Sequence, residues 1–153
     1  MHQLKGLDQI DGKIIRLLTE NARMSYVDMA GEVNLSRSAV KMRVEALEKE
    51  GIIEKYTLIV NPEKIGKTVS VYCDIEVRPE GLNQVIEKLV KLEAVTDLYQ
   101  MTGSSRLHMH AVLTSNEELE DFVRRELYAL PDILKVDLHI IVSRLKTRKG
   151  IRI

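Results

Sequence analysis

Arg37, Ser38, Lys41 and Arg43 fall within seven consecutive residues. A guanidinium carries a rigid fork of donors that fits a guanine edge, while an ammonium or hydroxyl can reach a base or a phosphate. The stretch 33–44 around them contains no acid. A second basic stretch, 138–153, holds Arg144, Lys146, Arg148, Lys149 and Arg152, also without an acid, and has the composition of a solvated tail. The whole chain has 23 basic and 23 acidic residues and no net charge, which argues against a bulk polyanion binder. What then matters is whether basic groups cluster on one face.

A second chemistry rests on imidazole. His108 and His110 lie two residues apart and point the same way if their segment is a strand. With Asp74, Glu76, Asp137 and His139 they would share one sheet face, and such groups are ligands for zinc. Polar pairing across an interface between two copies is the simpler reading, so no metal and no cofactor are expected. No nucleophile–base arrangement, phosphate loop or helical metal motif is visible, and no catalytic residue is assigned. Cys73 is the single cysteine, so it forms no intramolecular disulfide and reads as a small buried hydrophobe. The first residues have no apolar core of a secretory signal, and no apolar run reaches membrane-spanning length. The expectation is a cytoplasmic protein with no membrane partner.

The elements that must hold these groups follow from the hydrophobic period. Residues 8–50 read as three helices. Asp8 caps the first, with Asp11 in its first turn and Ile10, Ile14, Leu17 and Leu18 on one face. Ser25 caps a short second helix with Val27, Ala30 and Val33 inward. Ser36 caps a third, with Val40, Val44 and Leu47 inward and Gly51 just past its end. Ala30, Asn34 and Val40 supply the small crossing residue, the left-handed turn residue and the β-branched core residue of a helix-turn-helix. Arg37, Ser38 and Lys41 then point outward on the half that would enter a major groove. Arg43 is left to a phosphate or to a carboxylate within the domain, and Ser25 and Ser36 stand at helix starts that suit phosphate.

Residues 52–60 read as extended chain, a small wing, and 61–67 as a linker around Pro62 and Gly66. Beyond it the period becomes that of strands at 68–77, 95–102, 107–114 and 134–145, with helices at 82–92 and 119–130. The order βαββαβ predicts a ferredoxin-like fold, so the fold class is α+β. Both helices cover one sheet face and leave the other, with Tyr72, His108, His110, Val112, His139 and Ile141, open to a partner.

These residues resemble the Lrp/AsnC, or leucine-responsive "feast/famine", transcriptional regulators. The resemblance runs through Leu7-Asp8-Gln9-Ile10-Asp11, through residues 14–18 and 21–23, and through the segment 35–53. It continues in 61–66, Thr102-Gly103, 107–112, Phe122-Val123, Leu127, Leu130-Pro131 and Leu145-Lys146, and so covers nearly the whole chain. It implies a regulator of amino-acid or related metabolism that binds double-stranded promoter DNA. It also implies a homodimer through the C-terminal domain, assembling further to a tetramer or octamer, with an amino-acid effector in a cleft between dimers. The loop Thr102-Gly103-Ser104-Ser105-Arg106 would line that cleft. The family usually has Gly-x-x-Asp there, whereas Arg106 stands in place of the acid. An arginine cannot accept the bond a carboxylate would, so it favours an anionic effector or a carboxylate from a neighbouring subunit. Asp132 replaces a frequent glycine after Pro131, which bears on a turn.

The resulting expectation is a DNA-binding domain over 1–60, a linker over 61–67 and a dimerising, effector-sensing domain over 68–153. DNA contacts fall to Ser25, Ser36, Arg37, Ser38, Lys41 and Arg43. Two alternatives stand beside it: a haem-biosynthesis decarboxylase-like enzyme on the same architecture, with His108, His110 and Arg106 near a tetrapyrrole, and a small-molecule sensor that does not bind DNA.

Overall fold

A computed structural model describes residues 6–103 and 105–145. The basic stretch 146–153 and Ser104 lie outside the described residues. The chain divides into two compact units, with the division between Ile59 and Val60.

The first unit contains α1 (Gln9–Glu20), α2 (Tyr26–Val33) and α3 (Arg37–Lys49). Their limits are set by side chains that satisfy the free amides at helix starts. The Asp8 carboxylate accepts from the Asp11 amide and Asp11 accepts from that of Asp8, a reciprocal capping box. Ser25 and Ser36 cap α2 and α3 through the amides of Asp28 and Ala39. Asn34 ends α2 at φ 54°, ψ 47°, the left-handed conformation the turn requires. Gly51, at φ +72°, closes α3. Its amide and that of Ile52 donate back to the carbonyls of Glu48 and Leu47, as in a Schellman motif.

The core of this unit is Ile14, Ile15, Met29, Val33, Val40, Val44 and Leu47. The inward face of α2 differs from the sequence expectation. Val27 is 61% exposed, while Met29 is fully buried and Tyr26 and Ala30 pack beside it. The buried stripe 26, 29, 30, 33 follows the i, i+3, i+4, i+7 rule, which a reading at strict three-residue steps misses. Residues 52–60 contain no strand, so the expected wing has no paired strands among the described residues. Their β-branched side chains have extended propensity, but no strand pairs with them among the described residues. Ile53 still packs on the helical core, and the Tyr56 hydroxyl donates to Glu48 at 2.9 Å. Burial, followed by Glu48, pushes the Tyr56 phenol up to about 12, so it remains a donor at neutral pH.

One ion-pair cluster ties α3 to the start of α1. A single Arg43 nitrogen, Nη1, donates to Asp8 Oδ2 and to Asp11 Oδ1, both at 2.7 Å. The bond from the Asp11 amide, then Arg43, holds the Asp8 carboxyl below its ordinary 3.8.

In the second unit a single 3-10 turn, Glu63–Ile65, precedes the sheet. The strands are β1 (Val69–Val77), β2 (Val95–Met101), β3 (Arg106–Leu113) and β4 (Ile133–Ile140). They form one antiparallel sheet in the order β2-β3-β1-β4. The helices are α4 (Leu82–Leu89) and α5 (Asn116–Phe122), the latter continued by a π-turn over Val123–Leu127. Both cover one sheet face, where Val71, Cys73, Ile75, Val77, Leu107, Met109, Ala111 and Leu113 meet Val85, Leu89, Leu119, Phe122 and Leu127. Burial pushes the Cys73 thiol up to about 12, so it is an inert part of this core. β4 ends earlier than its alternating sequence suggests. Ile140 pairs with Val71 and the Ile141 amide bonds Ser70, near the start of β1. Past that point no strand is left to pair, and Val142 and Leu145 are almost fully exposed.

Asp132 turns the chain into β4 at φ 69°, and its carbonyl accepts from the Arg78 amide. A Cβ on the buried Gly81 would lie 2.4 Å from the Asp132 side chain. Gly81→Ala should therefore cost about 1–3 kcal/mol in urea unfolding, as overpacking does. The double variant Gly81→Ala/Asp132→Gly should recover most of it, because it removes both the obstruction and the left-handed strain. A double variant as unstable as the single one would show that Asp132 is not the obstacle.

A second prediction concerns acid stability. Because the native pKa of Asp8 is depressed, its contribution is present above pH 3.8 and lost as pH falls through the native value. Arg43→Met should lower the urea midpoint at neutral pH, and the gap from wild type should narrow below about pH 4. A gap independent of pH would mean that Arg43 acts by packing alone.

Candidate nucleic-acid interface and effector loop

Burial of Val40, Val44 and Leu47 fixes the rotation of α3. Arg37, Ser38, Lys41, Met42 and Glu45 consequently lie exposed on its other side. Arg37 occupies the first helical position beside the Ser36 cap, whose Oγ lies 3.0 Å from that of Ser38. Lys41 reaches Glu45 at 3.5 Å across one turn. Such an exposed pair is worth only about 0.3–0.5 kcal/mol, so a phosphate can compete for the ammonium. Arg37 also borders a shallow concavity with Met24, Ser25, Tyr26 and Val27.

Two of the expected contact residues are engaged within the unit. Arg43 is bound to Asp8 and Asp11, the intramolecular alternative that the sequence left open. Ser25 donates its hydroxyl proton to the Asp28 carboxylate at 2.7 Å. Its hydroxyl therefore meets an acid in the first turn of α2, which disfavours an anion there. Met42, 69% exposed in the middle of the outward face, was missed by a search for polar groups. Its signal was present: it lies four residues after Ser38, on the same side. An apolar side chain there suits a thymine methyl.

The loop between β2 and β3 is a tight turn in which Gly103 takes φ +102°, a conformation that glycine adopts without steric penalty. Thr102 is exposed, and the Ser105 carbonyl accepts from the Val77 amide at 2.9 Å, which anchors the loop to β1. Arg106 is exposed and faces Glu76 of its own chain at 3.7 Å. Glu76 and Arg106 are paired in register, so an acid of the same chain stands beside this guanidinium.

The open face follows the expected alternation. Tyr72 stacks on His139 with ring centroids 4.8 Å apart and lies 5.6 Å from His108. His108 Nδ1 contacts Asp74 at 2.7 Å, and His108 Nε2 lies 2.9 Å from His110 Nε2. Arg144 Nη2 donates to Ser70 at 2.7 Å. Among the described residues no three His, Cys, Asp or Glu side chains come together as a metal cluster, and no helix is long and apolar enough to cross a membrane.

Residues 7–54 match the winged helix-turn-helix DNA-binding family, and residues 70–151 match the Lrp/AsnC ligand-binding domain. The chain is 34% identical over 140 residues to the HTH-type transcriptional regulator LrpA of Pyrococcus horikoshii, covering 92% of this chain and 99% of that one. It is 32% identical over 127 residues to the HTH-type transcriptional regulator Ptr1 of Methanocaldococcus jannaschii, covering 83% of this chain and 86% of that one. Among solved structures, B. subtilis LrpC superposes with a TM-score of 0.83 at 30% identity, covering 92% and 98% of the two chains. A Neisseria meningitidis transcriptional regulator in complex with L-Met shares the fold, with a TM-score of 0.90 at 22% identity over 95% and 96% of the chains. The chain belongs to the Lrp/AsnC family of DNA-binding transcriptional regulators, with an N-terminal helix-turn-helix domain and a C-terminal α/β effector-binding domain.

Proposed function

We propose that α3 reads the major groove of promoter DNA through Arg37, Ser38 and Lys41. The observation that carries this is the rotation of α3, which leaves Arg37, Ser38 and Lys41 exposed, with Lys41 facing Glu45 and Ser38 facing only the neighbouring Ser36 hydroxyl among the described residues. Arg37 and Lys41 supply donors to guanine edges or phosphates, and Ser36 and Ser38 supply hydroxyls at the helix start. Arg43 serves the interface indirectly, by holding α3 against α1. Residues 1–60 act as the DNA-binding domain, 61–67 as the connection, and 68–153 as the dimerising and sensing domain. The open sheet face packs against a second copy, so that two recognition helices read a pseudo-palindrome. Tetramers or octamers build on that dimer. The protein acts by occupying promoters in the cytoplasm, not by catalysis. The enzyme reading is not favoured, since relatives across nearly the whole chain are named as regulators.

The turn at 102–106 takes a small effector, and regulation of amino-acid or related metabolism follows from that role. The L-Met complex of the structural neighbour supports an amino acid as the first class to try. Arg106 adds a preference for ligands whose anionic group can displace Glu76 from it.

The test is a gel shift on the DNA upstream of the protein's own gene, with excess competitor, at two salt concentrations. Discrete, salt-sensitive complexes should appear with wild type. Arg37→Ala/Lys41→Ala should weaken them, and each lost phosphate contact should lower the slope of log affinity on log salt by about 1. Unchanged affinity in the double variant would place the reading face elsewhere. No specific complex with any genomic fragment would favour a sensor that does not bind DNA.

For the effector, calorimetric titration with L-methionine and with other amino acids should show saturable heat in wild type. Arg106→Ala should weaken binding of anionic ligands by about tenfold, the effect of one charge-assisted bond. Equal affinities would remove Arg106 from the site.

A further inference from the structure

Val40, Val44 and Leu47 define the inward direction of α3. At about 100° of turn per residue, Met42 stands within roughly 15° of the opposite direction. Its side chain is 69% exposed, and it is the one exposed large apolar group on α3. Lys41 lies about 100° round the helix from it, toward one flank. The exposed neighbours of Met42 one turn away are Ser38, Glu45 and the single methyl of Ala46. Docking of a protein takes a broad contiguous apolar patch, which this face does not offer.

Glu45 adds a second observation. A carboxylate is repelled by a phosphate but accepts from the amino group of cytosine. The sector that holds Met42 and Glu45 therefore suits base edges better than the DNA backbone. Among the four bases, thymine alone carries an apolar group, its C5-methyl, on the major-groove edge. We propose that Met42 reads that methyl at one thymine of each half-site, so that the operator code includes an apolar contact besides hydrogen bonds. The inference rests on the reading of α3 as the recognition helix. A thioether chain is unbranched and adapts to the surface it meets. Its contact with a methyl removes apolar surface from water and strands no strong donor or acceptor.

The test uses the full chain and a DNA fragment that it binds specifically in the gel shift. Each thymine is replaced, one position at a time and in both half-sites, by deoxyuridine, which keeps the base pairing and lacks only the methyl. At one position wild type should lose about fourfold in affinity for each half-site altered, the value of one methyl group taken out of water. Met42→Ala should bind the thymine and deoxyuridine fragments equally at that position, and Met42→Leu should still distinguish them. Met42 packs into neither the buried core of its unit nor the shell around it, so both variants keep the fold. A deoxyuridine effect that persists in Met42→Ala would belong to DNA shape or to another side chain, and would overturn the proposal. A specific complex indifferent to deoxyuridine at every position would also overturn it and leave the recognition-helix reading standing. Failure to form any specific complex with unmodified DNA would overturn that reading, and this one with it.

Discussion

The DNA-reading unit depends on the apolar stripe of α3. Val40, Val44 and Leu47 are spaced so that they fall on one side of a helix, and all three are buried. Each such side chain contributes about 1.5–3 kcal/mol, as an upper bound, relative to an exposed one. Rotating α3 by one residue would expose these groups and bury Lys41 or Arg43 without a partner, which costs more again. The outward direction of Arg37, Ser38 and Lys41 is therefore a consequence of the core. The functional face needs no polar interaction to orient it. Arg43 adds a second constraint. It lies at the edge of the stripe and reaches the capping box of α1, so that the start of one helix and the middle of another are fixed by one guanidinium.

Local signals were the most legible part of the sequence. Asp8, Ser25, Asn34, Ser36 and Gly51 each do what their side chain or backbone freedom suggests, because a cap or a left-handed turn is decided within a few residues. The differences arise where a distant partner decides. The phase of an eight-residue helix is poorly fixed by two turns of pattern, hence the misplaced Val27. Alternation in 134–145 continues past the point where β1 can offer a partner, hence the strand that stops at Ile140. Residues 52–60 have strand composition and, among the described residues, no strand to join. The early start of α5 is a different case. Ser115 caps it through the amide of Glu118, and the Ser-x-x-Glu spacing was there to be read. Of the candidate site, the outward face of α3 was legible and the partners of Arg43 and Arg106 were not, since each lies about 30 residues away in sequence.

The two faces of the C-terminal sheet impose the same register by different means. On the covered face a one-residue slip of β3 against β1 would turn Leu107, Met109, Ala111 and Leu113 away from the helices. On the open face the aligned pairs are Glu76 with Arg106, Asp74 with His108 and Tyr72 with His110. Each sets an acceptor or an aromatic ring against a cation or an imidazole, and such cross-strand pairs contribute roughly 0.2–1 kcal/mol each. The hydrophobic face thus decides which side of β3 points inward, and the polar pairs favour one alignment over a two-residue slip that burial alone would tolerate. Glu76 and Arg106 sit on the first of these rungs, next to the turn, so the charge of the loop is set by the same pairing that aligns the strands. A ligand that draws Arg106 away from Glu76 gives up one of the contacts that hold this register. The rungs at Asp74 and Tyr72 would still hold the sheet if the proposed effector drew Arg106 from Glu76.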